Sequence, residues 1–298
     1  MKKEQRYIFV GGCGRSGTTL VQKILTSHSL ISGAEEFGYT SEIIGIYKDM
    51  KLKLATGFLD SFVEDELSLK SNFIDFYEAF FKKVDGDALY VSEKTPSNIK
   101  VLPELLELFE NAVFLNVVRD GRDVVASHLA VKKRYKSYGR FAGFGLSSIC
   151  KLWNDSIDKY LLFSVDPRVY NISFEKLLCE PETTLKGLFH RLNLDLEIDL
   201  LAPERIENLN KAHINDIWYT KQMFGKGFDQ SSIGKWKGLG PIKRIWVNIA
   251  LAENLKVLGY GVSKPYLIAD KFLSYFRPAR YRDSLAHKLY VKLRLFFS

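Results

Sequence analysis

Residues 11–19 read GGCGRSGTT and follow the apolar run YIFV at 7–10. From Gly12 to Thr19 the stretch fits the phosphate-binding pattern G-x-x-x-x-G-K-[ST], except that Thr18 stands where the lysine belongs. A glycine-rich turn between a strand and a helix aims successive backbone N–H groups at one point, and the helix N-terminus adds partial positive charge there. Ser16, Thr18 and Thr19 add hydroxyls and Arg15 adds a cation, so Arg15, Ser16, Gly17, Thr18 and Thr19 form a candidate anion cradle. In nucleoside triphosphatases the missing lysine reaches the β/γ-phosphates, and a hydroxyl with a separate acid holds Mg²⁺. No apolar strand here ends in such an acid; Asp120 comes closest, but it follows Arg119 and precedes GRD at 121–123. The pattern therefore suits a phosphate that needs no metal, and no metal site is expected.

FLNVVRDGRDVVASHL at 114–129 repeats the logic. Arg119 stands where an apolar strand stops, and Ser127 falls eight residues later, early in the following helix. A guanidinium fork and a hydroxyl at a helix N-terminus make a second anion site. Two such sites on one sheet suit a ligand phosphorylated at two separated points.

The elements that must carry these groups are legible from periodicity. Apolar runs at 7–10, 89–96, 112–118 and 168–174 read as strands. Helical spacing covers 18–28, most of 42–83, 99–109, the segment after 118, and 182–192. Apolar strands alternating with helices predict an α/β fold: a P-loop-containing three-layer αβα arrangement with a central parallel β-sheet and helical insertions. One domain is expected over 1–262, with a basic, aromatic-rich C-terminal extension over 263–298.

With both motifs in place, the chain resembles the sulfotransferases that use 3′-phosphoadenosine 5′-phosphosulfate (PAPS). In that family a loop like GRSGTT binds the 5′-phosphosulfate, and an Arg…Ser pair eight apart binds the 3′-phosphate. The resemblance covers roughly residues 6–240, and its closest-looking branch is the tyrosylprotein sulfotransferases and their bacterial relatives. It implies a general base at Glu36 in SHSLISGAEEF, with Glu35 as competitor, and a charge-stabilising lysine at Lys94 in SEKTPSN. Trp153 in KLWND matches too and reads as core packing; Lys235 in SSIGKWKG matches a late loop that approaches the nucleotide. The chain departs from the pattern at Phe174–Glu175, where relatives carry Tyr before an acid, and at Val131, four residues past Ser127, where they carry Arg. Thr220, Ser231 and Ser232 are equal candidates for an assisting hydroxyl.

The implied reaction moves a sulfuryl group from PAPS, the co-substrate, to an acceptor hydroxyl. A carbohydrate or glycolipid is the expected acceptor; protein tyrosine is one alternative, and a P-loop kinase using ATP·Mg²⁺ is another. Net charge supplies a further clue. Of the +8 total, residues 263–298 hold eight Lys/Arg and two Asp, hence +6, interleaved with aromatics. That composition suits a solvated terminal helix or a surface resting on anionic lipid. No nucleic-acid module accompanies it, so specific nucleic-acid binding is not expected. Cys13, Cys150 and Cys179 have neither CxxC spacing nor an even count, and no run of 18 apolar residues occurs. These features, with an N-terminus lacking a long apolar core, predict a cytoplasmic enzyme, peripheral at the inner membrane face.

Overall fold

The computed structural model describes residues 6–34, 36–85, 88–134, 145–202 and 228–268. Its centre is a five-stranded parallel sheet of order β2-β3-β1-β4-β5, built from β1 (Arg6–Gly12), β2 (Ile31–Gly33), β3 (Tyr90–Lys94), β4 (Val113–Val118) and β5 (Val169–Ser173). Four of these are the strands read from apolar runs. β2 escaped that reading because three residues at a sheet edge are too short to show a period.

Alternation along the strands splits the core in two. Tyr7 and Phe9 of β1 face one side, with Phe114 of β4 and with Tyr77, Phe109, Val124 and Trp153 from covering helices. Ile8 and Val10 face the other, with Leu115, Val117 and Ile172 and with Val21, Ile24, Leu185 and Phe189. The first layer is made by α2 (Thr40–Leu54), α3 (Glu66–Asp85), α4 (Leu102–Leu108), α5 (Gly121–Arg134) and α6 (Leu146–Phe163). The second is made by α1 (Thr18–Thr26), α7 (Phe174–Cys179) and α8 (Pro181–Arg191). Three layers around a sheet buried on both faces follow the expectation. The helical stretch expected over 42–83 is two helices, because residues 55–65 turn the chain between α2 and α3.

The strand order places the chemistry. From β1 the chain builds outward to β2 and β3 on one side, then crosses to β4 and β5 on the other. Open α/β sheets bind ligands beyond the carboxyl ends of their strands, where the order reverses. Here that point lies between β1 and β4. In register, Lys94 sits beside Val10 and Val117 beside Gly12, so the ends of β3, β1 and β4 deliver Lys94, the 13–17 loop and Arg119 to one edge.

Candidate active site

The first loop leaves β1 through three unusual backbones. Gly12 has φ 136°, Arg15 φ 73° and Gly17 φ 101°. A left-handed arginine costs on the order of 1–3 kcal/mol, and such strain gathers at functional sites. At Gly17 any Cβ would stand 2.2 Å from the Phe174 ring, so only glycine fits. α1 then starts with neither a side-chain cap nor an acid in its first turn, which leaves its N-terminus electropositive. Ser16 is buried with its Oγ lacking a partner among the described residues. A buried hydroxyl without a partner is costly, and a ligand oxygen is what would satisfy it. Thr18 is buried in the first turn and Thr19 half-buried beside it.

The second motif meets the first directly. Arg15 Nε donates to Ser127 Oγ at 3.2 Å. Arg119 donates from Nη1 to the Arg15 carbonyl at 3.2 Å and from Nη2 to the Ser232 carbonyl at 2.6 Å, and its guanidinium lies 4.7 Å from the Phe174 ring centroid. Its Nε is buried with no partner among the described residues. A purely structural ion pair is not what holds Arg119, because the adjacent Asp120 is taken by Arg122 at 2.7 Å. Burial pulls the Arg119 guanidinium below its ordinary range, opposed by Asp123, Glu175 and Asp120. Trp153 is fully buried and donates its indole N–H to the Arg119 carbonyl at 3.1 Å, so it packs the core and also fixes this backbone. Phe174 occupies the place expected for a hydroxyl-bearing tyrosine and instead floors both Gly17 and Arg119.

The late loop closes over this edge. Asp123, buried at the start of α5, accepts from Gly234 N–H at 2.7 Å and Trp236 N–H at 2.8 Å. Lys235 lies between those two tethered residues with its side chain exposed. Ser232 contributes its carbonyl to Arg119, while the Ser231 hydroxyl donates to Asp229 at 2.6 Å. Thr220 lies outside the described residues.

Across β1, Lys94 forms an ion pair with Glu36. The two are unequal: the Lys94 side chain is 3% exposed and that of Glu36 46%. Glu36 sits between two backbone tethers. The Gln22 amide of α1 donates to the Ala34 carbonyl at 2.8 Å, and Gly38 N–H donates to Thr95 Oγ1 at 3.1 Å. The Thr95 hydroxyl in turn donates to Glu93 at 2.5 Å, and Asn98 donates to the same carboxylate at 2.6 Å. Burial raises the Glu93 carboxyl to about 7 against those bonds. Glu35, the competing base, lies outside the described residues.

Sequence reasoning brought Arg15, Ser127, Arg119, Lys94 and Glu36 to this edge, but it missed four supports. Glu93 was hidden inside SEKTPSN, although an acid followed by Thr and Asn two and five residues on is a self-satisfying pattern. Asp123 and Glu175 secure the loops, the latter accepting from Asp120 N–H and the Tyr260 hydroxyl, each at 2.8 Å. His128 donates from Nε2 to the Gly14 carbonyl at 3.1 Å, and burial beside Arg15 lowers it to about 4. Contacts across the fold of this kind leave no local trace.

Known proteins share this architecture. The profile of the Sulfotransferase family matches residues 7–198. Protein-tyrosine sulfotransferase 1 of Danio rerio is 26% identical over 269 residues, covering 87% of this chain and 73% of its own length. The chain spans only 30% of an uncharacterized protein of Aquifex aeolicus that is also 26% identical. Among solved structures, the sulfotransferase domain from the curacin biosynthetic pathway superposes with a TM-score of 0.59 at 18% identity, covering 87% of this chain and 99% of that one. Mouse sulfotransferase SULT7A1 complexed with PAP does so at 0.54 and 13% identity, over 90% and 89% of the two chains.

Proposed function

This chain belongs to the Sulfotransferase family, and from that premise we propose that it transfers a sulfuryl group from PAPS to a hydroxyl of a carbohydrate or glycolipid. One observation carries the donor half. Ser16 Oγ and Arg119 Nε are buried without partners among the described residues, and the Arg15–Ser127 hydrogen bond joins the first loop to α5, the helix that follows Arg119. That arrangement fits an anionic ligand gripped at two points. Arg15, Ser16, Gly17, Thr18 and Thr19 would hold the phosphosulfate end, and Arg119, Ser127 and Lys235 the 3′-phosphate end.

Glu36 is the proposed base. It accepts the acceptor's hydroxyl proton as the acceptor oxygen bonds to sulfur and the bond from sulfur to the bridging oxygen breaks. Lys94, which neighbours Glu36 and is almost wholly shielded from water, and Arg15 stabilise the negative charge gathering on the departing phosphate. Shielding matters because a cation acts more strongly on nearby charge away from water.

The acceptor reading rests on an aromatic cluster next to Glu36 in the chain. Tyr39, Phe76 and Phe80 are well exposed, linked to Phe37 and to each other by ring contacts of 5.9, 5.3 and 5.1 Å between centroids. Exposed ring faces give a sugar ring or lipid an apolar platform, with Glu36 one residue before Phe37. Protein tyrosine is the second reading, favoured by the name of the Danio rerio relative. Incubation with sulfur-labelled PAPS and separate panels of glycans, glycolipids and tyrosine peptides tests both readings. Label entering only tyrosine peptides would replace the first by the second. No transfer from PAPS, with phosphate transferred from ATP·Mg²⁺ instead, would overturn both and restore the kinase alternative.

A further inference from the structure

A cavity lies against the Arg122 side chain. It has a volume of about 550 Å³ and is walled by Arg122, Trp236, Lys237, Arg244, Ile245 and Tyr266, among others. Its lining includes no acidic residue. Arg122 is neutralised at the back by Asp120 and is stacked 4.3 Å from the Trp236 ring. Lys237 and Arg244 have no carboxylate partner among the described residues; Arg244 donates only to the Lys237 carbonyl, at 3.3 Å. Two cations without counter-charges therefore converge on a concave, aromatic-walled space.

The surface around the cavity is apolar where an ordinary solvated helix is polar. The helix Pro241–Ala250 buries Val247 and Asn248 inward and turns Ile242, Ile245 and Trp246 outward, at 82, 48 and 42% exposure. Their spacing of three and four puts them on one face. Lys243 flanks them, and Ile268 is exposed as well, at 69%. The 30 residues that follow, 269–298, carry seven Lys/Arg against two Asp, so the chain leaves this surface with more of the same charge. Apolar side chains ringed by cations match the interface of an anionic bilayer, where acyl chains meet phosphate headgroups.

We propose that this face docks on anionic membrane lipid, with a headgroup phosphate entering the cavity between Lys237 and Arg244, and with Ile242, Ile245 and Trp246 entering the interface. The inference is independent of the acceptor. It places the enzyme on a membrane through its folded domain, not through the extension alone. The face also reaches the donor site, because Asp123 holds the backbone N–H of Trp236, whose ring walls the cavity.

Co-sedimentation of the full chain with phosphatidylcholine vesicles, with and without phosphatidylglycerol, tests the proposal. Binding is expected only to the anionic vesicles and should weaken with salt. The double variant Lys237→Ala/Arg244→Ala and the variant Ile242→Ser/Trp246→Ser should each lower the partition coefficient by about tenfold or more while melting as wild type does. Inorganic phosphate and the oligomeric state are the comparison arms. Equal binding to neutral vesicles, or undiminished binding by both variants, would overturn the proposal. So would thermal stabilisation by phosphate without vesicle binding, or a dimer lost in Ile242→Ser/Trp246→Ser without vesicle binding.

Discussion

Arg119 and Glu36 are charged groups lying just beyond the ends of β4 and β2, on opposite sides of β1 in the sheet, and the fold treats them in opposite ways. Arg119 is buried and held from several directions: by the Arg15 and Ser232 carbonyls, by the Phe174 ring and, through its own carbonyl, by Trp153. Glu36 is half-exposed, and its side chain is paired with Lys94. One end of the site is built before any ligand arrives. At the other, the carboxylate proposed as the base is paired through one oxygen with Lys94 and is 46% exposed. Binding should therefore be sensitive to the Arg119 end and turnover to the Glu36 end.

The sharpest separation comes from Glu36→Gln. Turnover should fall by about 10²–10⁴-fold, the usual contribution of a positioned base. Affinity for adenosine 3′,5′-bisphosphate should stay near wild type, and so should the melting temperature. Steady-state rates together with calorimetric titration would check both halves. Unchanged turnover would remove Glu36 from its proposed role.

Arg119→Ala should produce the converse. Removing a charge-assisted fork from a shielded site costs on the order of 2–5 kcal/mol of nucleotide affinity. The loss should also loosen the late loop, because Ser232 would lose its donor. Titration of the variant with the bisphosphate checks the first effect, and limited proteolysis near residue 232 checks the second. Tight binding by Arg119→Ala would sink the two-point grip.

Gly17→Ala attacks the preformed end through shape alone. The left-handed backbone penalises a Cβ by roughly 1–2 kcal/mol, and overpacking against Phe174 adds roughly 1–3 kcal/mol. Denaturant unfolding should register the sum. Adding Phe174→Leu should recover the packing part but not the backbone part. Full recovery would mean that the φ of 101° costs nothing here.

These contrasts also explain what the sequence disclosed. GGCGRSGTT and RDGRDVVAS were legible because anion binding by a loop is local: glycines, hydroxyls and a cation must be close in sequence to converge in space. The strands β1, β3, β4 and β5 were legible because a sheet buried on both faces demands unbroken apolar runs. Glu36 and Lys94 came from likeness to a family, since an acid in a loop and a lysine at a strand end have no pattern of their own. What the residues could not announce were the cross-fold supports. Asp123 reaches the late loop 111 residues on, and Glu175 meets Asp120 55 residues back, by tertiary placement alone. Residues 269–298 of the extension expected over 263–298, together with Glu35 and Thr220, lie outside the described residues, so those readings stand as they were.

The smallest expected effects are titrations, and their signs differ between the two ends. His128, beside Arg15, is lowered from 6.5 to about 4. Above pH 6.5 it is neutral in both folded and unfolded chains. As pH falls toward 4 the unfolded chain takes up a proton that the folded one refuses, so stability is lost with acid, by at most about 3 kcal/mol for this group. Glu93, behind Lys94, is raised from 4.5 to about 7. Between those values the folded chain holds a proton that the unfolded one has released, so its contribution is full below pH 4.5 and is lost as pH rises through 7. The two windows overlap with opposite signs and largely offset each other between pH 4.5 and 6.5. Relative to wild type, the measured unfolding free energy should therefore fall with rising pH across that range in His128→Gln and climb with rising pH in Glu93→Gln. If it fell with rising pH in Glu93→Gln instead, the buried carboxyl would be ionised in the fold. The Thr95 and Asn98 bonds would then outweigh its desolvation, and the tether from Thr95 to Gly38 would rest on a fixed negative charge.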